Sequence, residues 1–139
     1  MTKISRKYIK RLRIMYLYTL IGAGGFGVGI LISPDAVQSL VQAPAQDPVT
    51  FGITGSVYLA FGILSLLGLI FPVKMIPVLM LQMLYKMIWV GGVIAPIFLK
   101  GEFPLHAVLI GLIFLTYIIG DLVSIPFPYL FEKDNALLE

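Results

Sequence analysis

The sequence predicts an all-α membrane protein, a bundle of four antiparallel transmembrane helices with a short interfacial helix in its first outer loop. Three observations carry that prediction. Of the 139 residues, 59% are hydrophobic and 12% charged, and the mean hydropathy of +0.99 is far above that of ordinary soluble domains. Residues 14–32, 49–71 and 105–119 contain no acidic or basic side chain except His106, and residues 75–99 are broken only by Gln82 and Lys86. A hydrocarbon layer about 30 Å thick needs about 20 helical residues, so four crossings fit and five do not. None of the runs shows the alternation of a spanning strand.

Charge sets the expected orientation. Lys3, Arg6, Lys7, Lys10, Arg11 and Arg13 precede the first apolar run, whereas 33–50 has no basic residue and carries Asp35 and Asp47. By the positive-inside rule the N-terminus is cytoplasmic. Four crossings return Lys74 and the tail 132–139 to the same side and leave Lys100 as the only outer basic residue. The expectation is a multi-pass protein of the plasma (inner) membrane with both termini cytoplasmic. The isoelectric point of about 9.2 then reflects topology and contact with the anionic bilayer, with no nucleic acid as partner. The first apolar run exceeds the core of a signal peptide and ends at Ser33-Pro34 without a small-x-small site, so a retained helix is expected. Cysteine is absent, which excludes disulfides and thiolate metal sites.

The elements follow in order within a single domain, 1–139. Helix one covers about 10–32. Ser33-Pro34 then offers a cap and a first-turn proline, and PDAVQSLVQAP places Val37, Leu40 and Val41 on one face against Gln38, Ser39 and Gln42, as suits a helix lying on the outer surface. Asp47-Pro48 repeats the cap-and-proline signal and opens helix two, about 49–71. PVKMIP allows only a turn before helix three, about 75–99, making the two neighbours. A bend is expected at Pro96, which lacks a donor. Helix four covers about 105–125, and PFPYLF leaves it with Tyr129 and Phe131 at an aromatic belt.

Glycines mark packing faces. Gly22, Gly25 and Gly29 in helix one and Gly55, Gly62 and Gly68 in helix two let another helix approach closely, with Gly25 and Gly29 forming GxxxG. Gly22 to Gly27 also matches GxGxxG, but that fingerprint needs a strand, loop and helix that cannot exist within a membrane span.

Lys86 poses the chemical question. It lies about 15 Å along helix three, near mid-membrane, and Asp121 of helix four lies some 7 Å from the same inner face. Each side chain leans toward its own helix N-terminus, so on antiparallel helices the two point toward each other. An unpaired charge at the bilayer centre costs at least about 2.5 to 3.5 kcal/mol, and a buried ion pair is the expected solution. Gln82 and Trp89 lie one turn either side of Lys86. Tyr117 and Ser124 flank Asp121, Ser65 falls at a comparable level, Thr19 is within reach, and Tyr58 shares the stripe of Gly55, Gly62 and Ser65. Lys86 with Tyr58 suits an anionic or hydrogen-bonding head group, while Asp121 suits a proton. The same pair would equally serve to fix helix register.

Other chemistry is not expected. His106 beside Glu102 supplies two ligands, too few for a metal site. HExxH, GxSxG, a P-loop and paired carboxylates at working distance are all missing from the sequence. Neither enzymatic activity nor a cofactor is anticipated.

The layout resembles the small four-helix bacterial membrane proteins grouped around the DoxX-like families. The glycine-rich first helix, SPDAV, GSVYLAFGILSLLG, QMLYKMIW and GDLVSIPFPYLF carry the resemblance, which implies a compact bundle that acts as an accessory subunit or binds a small hydrophobic molecule. Two functions stay open: a polar layer that binds or conducts a small molecule or ion, and an accessory subunit docked in a larger membrane complex with an architectural Lys86 and Asp121. Homo-oligomerisation through Gly25 and Gly29 is a third.

Overall fold

A computed structural model of the protein describes residues 3–132. Those residues form helices α1 (Arg6–Ile32), α2 (Pro34–Leu40), α3 (Pro48–Ile70), α4 (Ile76–Trp89), α5 (Ala95–Leu99), α6 (Leu105–Ser124) and α7 (Phe127–Leu130), and no strand. A π-helical turn, Val90–Ile94, joins α4 to α5, making one continuous span from Ile76 to Leu99. That span, α1, α3 and α6 are each long and apolar enough to cross a membrane, the mark of a multi-pass membrane protein. The expected tail beyond Glu132 lies outside the described residues.

Helix starts follow local chemistry. α1 begins four residues earlier than expected because the Ser5 carbonyl accepts from the N–H groups of Tyr8 and Ile9, and its basic first turns are exposed. At α3 the Asp47 carboxylate accepts from the Thr50 N–H and hydroxyl, both at 2.8 Å, and Pro48 occupies a position whose N–H has no helical partner anyway.

One expectation is corrected. The irregularity near Pro96 is wider and earlier than a bend at the proline. Pro96 cannot donate to Gly92, and the preceding turn opens so that the Ala95 N–H bonds the Val90 carbonyl, five residues back. α2 stops at Leu40, which is 70% exposed while Gln38 and Val41 are buried, and the chain then turns through Gln42 at φ 57°, with the Ala43 N–H bonded to the Gln38 carbonyl at 2.8 Å.

The closest helix pair is α1 against α3, with α4 against α6 as the second. Glycine permits the first. A Cβ on Gly62 would lie 2.7 Å from Gly24 Cα, and one on Gly27 would strike the backbone of Leu59 and Gly55. The contact therefore runs through Gly24 and Gly27 rather than the GxxxG pair: Gly25 faces open space and Gly29 meets Val37 of α2. A shift of one residue turns the face by about 100°, enough to exchange an inward for an outward glycine. Gly55 and Gly62 do line the contact, Gly68 makes room for the Tyr16 ring, and Gly22 admits the Tyr117 hydroxyl.

At the end holding the first turns of α1, Leu12, Met15, Tyr16, Ile76, Leu79, Tyr117 and Ile125 form the apolar core. Tyr16 donates to the Pro72 carbonyl at 2.7 Å, so a fully buried ring also pins the α3–α4 turn.

Candidate functional site: a caged lysine at the foot of an apolar cavity

Lys86 is 2% exposed and enclosed by aromatic rings. Its Nζ donates to Tyr85 Oη at 2.7 Å and lies 4.3 Å from the ring centres of both Tyr85 and Tyr117. Phe114 follows at 5.1 Å and Phe61 at 5.9 Å. Ring faces attract a cation more strongly when it is desolvated, so the cage replaces part of the hydration that burial removes. The rings brace one another as well, with Tyr85 edge-on to Phe114 at 6.0 Å and Trp89 edge-on to Phe114 at 4.9 Å.

Asp121 is fully buried, but its partner is Gln82. Gln82 Nε2 donates to Asp121 Oδ1 at 3.2 Å and to Thr19 Oγ1 at 3.0 Å, and Thr19 Oγ1 returns a bond to Gln82 Oε1 at 3.3 Å. Three helices, α1, α4 and α6, thus meet in one hydrogen-bonded unit. Asp121 Oδ2 and Ser65 Oγ are buried without a hydrogen-bond partner.

The expected direct ion pair is not formed: among the described residues no salt bridge joins Lys86 to Asp121. Gln82 precedes Lys86 by one helical turn on the same face of α4 and bonds one oxygen of the carboxylate, while the lysine stem carries its ammonium to the rings instead. Both charges sit in the buried layer, yet each has its own partners.

A cavity of about 330 Å³ adjoins the lysine. Lys86, Tyr58, Tyr85, Phe114 and Tyr117 line its foot, and Ile30, Val37, Val41, Phe51 and Thr54 line it toward the end of the molecule where α1 stops and α3 starts. Its size falls in the range of ligand pockets, and an apolar wall with a few convergent polar groups is their usual character. No family model, curated protein or solved structure matches this chain. What the site can do follows from its own groups. Lys86 offers ammonium protons, and Tyr58 and Tyr85 hydroxyls stand beside one another; together they suit an acceptor or anion at the foot, with apolar matter above it.

The anticipated residues other than Ser65 divide into three sets. Lys86, Tyr58 and Tyr117 line the cavity; Gln82, Asp121 and Thr19 form the hydrogen-bonded unit beneath it; Trp89 supports the cage from outside through Phe114. Ser65 is buried and unpartnered. Tyr85, Phe61 and Phe114 escaped the sequence reading. Phe114 precedes Tyr117 and Asp121 by three and seven residues, and Phe61 precedes Ser65 by four, so helical spacing could have found both. Tyr85 could not be found that way, since the residue next to Lys86 starts about 100° away around the helix. Among the described residues no group of three or more His, Asp or Glu could hold a metal.

Proposed function

We propose that the protein is a non-enzymatic, four-crossing antiparallel bundle of the inner membrane, with both termini cytoplasmic, that binds one amphipathic small molecule. The ligand's anionic or carbonyl head lies against Lys86 and the Tyr85 and Tyr58 hydroxyls, and its apolar body fills the cavity toward α2. The observation that carries this reading is the position of the sole cation of the cavity wall, Lys86, at the foot of an otherwise uncharged lining. Binding is favoured over ion conduction because four aromatic rings crowd the ammonium. In this arrangement α2 lies at the outer interface, where exposed Leu40 enters lipid.

Trp89, the only tryptophan, packs on the cavity residue Phe114 and reports occupancy. Brominated dodecanoate titrated into protein in lipid nanodiscs should quench its fluorescence saturably, and dodecane brominated at the same carbons, which lacks the head group, should not. Lys86→Met should abolish saturable quenching while helix content is retained. Equal quenching of wild type and variant would remove Lys86 as the anchor.

The rival reading is an accessory subunit or homo-oligomer. It draws on Gly25, Gly91 and Gly92, which have nothing within 4 Å and leave flat outer faces for another helix. A stoichiometric protein partner on copurification, with no saturable quenching, would favour it.

A further inference from the structure

A second recess lies at the opposite end of the molecule, between the first turns of α1 and the last turn of α3. Arg6, Lys10 and Arg13 line it together with Ile9, Ile14, Leu17 and, from α3, Leu69, around a volume of about 470 Å³. Arg6, Lys10, Arg13 and Leu17 advance by four, three and four residues, so they share one stripe of α1. The stripe rises about 16 Å from Arg6 to Leu17, and along it the chemistry changes once, from cations to apolar side chains. The long stems lean toward the helix N-terminus, which gathers the cationic heads at the polar end.

The neighbouring basic residues behave differently. Arg11 turns toward α6, where Nη1 donates to the Val123 carbonyl at 3.3 Å, and its guanidinium lies 5.9 Å from the Tyr8 ring. Lys74 lies 5.8 Å from the Phe71 ring. At the basic end of the protein, Arg6, Lys10 and Arg13 therefore line a groove, while Arg11 and Lys74 beside it have other partners.

We infer that this groove binds an anionic phospholipid, with the headgroup phosphate among Arg6, Lys10 and Arg13 and an acyl chain along Ile14, Leu17 and Leu69. A guanidinium matches a phosphate with paired N–H donors, and an ammonium adds a point charge. A soluble phosphate would use the cations alone, whereas the order of charge then hydrocarbon along a membrane-spanning helix is the order within one lipid molecule. This inference is independent of the Lys86 cavity.

The test is retention of diphosphatidylglycerol by protein in phosphatidylcholine nanodiscs, read by native mass spectrometry. Wild type should hold a lipid molecule that the Arg6→Gln/Lys10→Gln/Arg13→Gln variant releases, with affinity lowered about 100-fold if each cation contributes its usual share at a membrane surface. Lys3→Gln/Lys7→Gln/Lys74→Gln removes the same charge outside the groove and should retain it. Leu17→Trp leaves every charge in place but fills the apolar half, and should also release it. Equal loss from both triple variants, undiminished binding to Leu17→Trp, or displacement by inorganic phosphate would each overturn the inference.

Discussion

The Lys86 ammonium and the Asp121 carboxylate occupy one buried layer but face different partners: Lys86 lies 4.3 Å from the Tyr85 and Tyr117 ring centres, and Asp121 accepts from Gln82 at 3.2 Å. A direct pair would have neutralised both groups at once and left neither free for a ligand. With Gln82, one turn before Lys86 on α4, bonded to Asp121 Oδ1, the ammonium is placed at the foot of the cavity and the carboxylate joins the helix contacts of α1, α4 and α6. Binding and architecture are thereby assigned to different residues, and substitutions can separate them.

The architectural half is tested at Gln82. Gln82→Leu strips Asp121 Oδ1 and Thr19 of their donor in a fully buried setting, and leaving such groups unsatisfied should destabilise the protein by about 1 to 3 kcal/mol. Lys86→Met removes a buried charge held mainly by rings and should melt no lower than wild type, as buried charges replaced by apolar groups of similar volume often do. Thermal unfolding in detergent compares the two. A larger loss from Lys86→Met than from Gln82→Leu would show that the lysine is the structural member.

The helix contact is tested by a pair of glycines. Gly62→Ala puts a methyl 2.7 Å from Gly24 Cα and should cost about 1 to 3 kcal/mol, because two backbones must separate. Gly25→Ala, on the open face, should be neutral or stabilising by up to about 1 kcal/mol through helix propensity. Guanidinium or urea unfolding in mixed micelles distinguishes them, and equal effects would mean that the α1 face is misassigned.

The cage can be altered from behind. Gly22→Ala places a methyl against the Tyr117 hydroxyl and should push that ring off the ammonium, weakening brominated-dodecanoate binding, read by Trp89 quenching, by up to about 30-fold, the worth of a desolvated cation–π contact of about 2 kcal/mol. Tyr117→Phe keeps the ring and should bind nearly as wild type. If the order of the two variants is reversed, the Tyr117 hydroxyl rather than its ring serves the site.

A pH effect is expected outside the membrane. The Thr50 backbone N–H, and then its hydroxyl, hold the exposed Asp47 carboxyl below the usual value of 3.8. A lowered folded-state value means that its contribution to stability is complete above the unfolded value and fades as pH falls below about 4 through the folded one. Asp47→Asn caps the helix without a charge, so its stability should lose that acid dependence while remaining close to wild type at neutral pH. Identical acid profiles for the two proteins would exclude Asp47 as the titrating cap.

Length and apolarity placed the four spans within a few residues, because crossing a bilayer or burying a helix demands an unbroken apolar run that needs no partner to be recognised. Asp47-Pro48 and Ser33-Pro34 located helix starts for local reasons too: the Asp47 cap is satisfied within one turn, and at Ser33, whose side chain makes no cap bond, the signal is the first-turn proline. The burial of Lys86, Gln82, Asp121 and Ser65 was also foreseeable, from their position within those runs. Which polar group faces which was not. That choice depends on helix rotation and height, where one residue is about 100° and 1.5 Å, and it decided that Gly24 and Gly27 pack while Gly25 does not. It also gave Asp121 to Gln82 and left the Lys86 ammonium to Tyr85, Tyr117, Phe114 and Phe61, rings drawn from three helices that only packing brings around one charge.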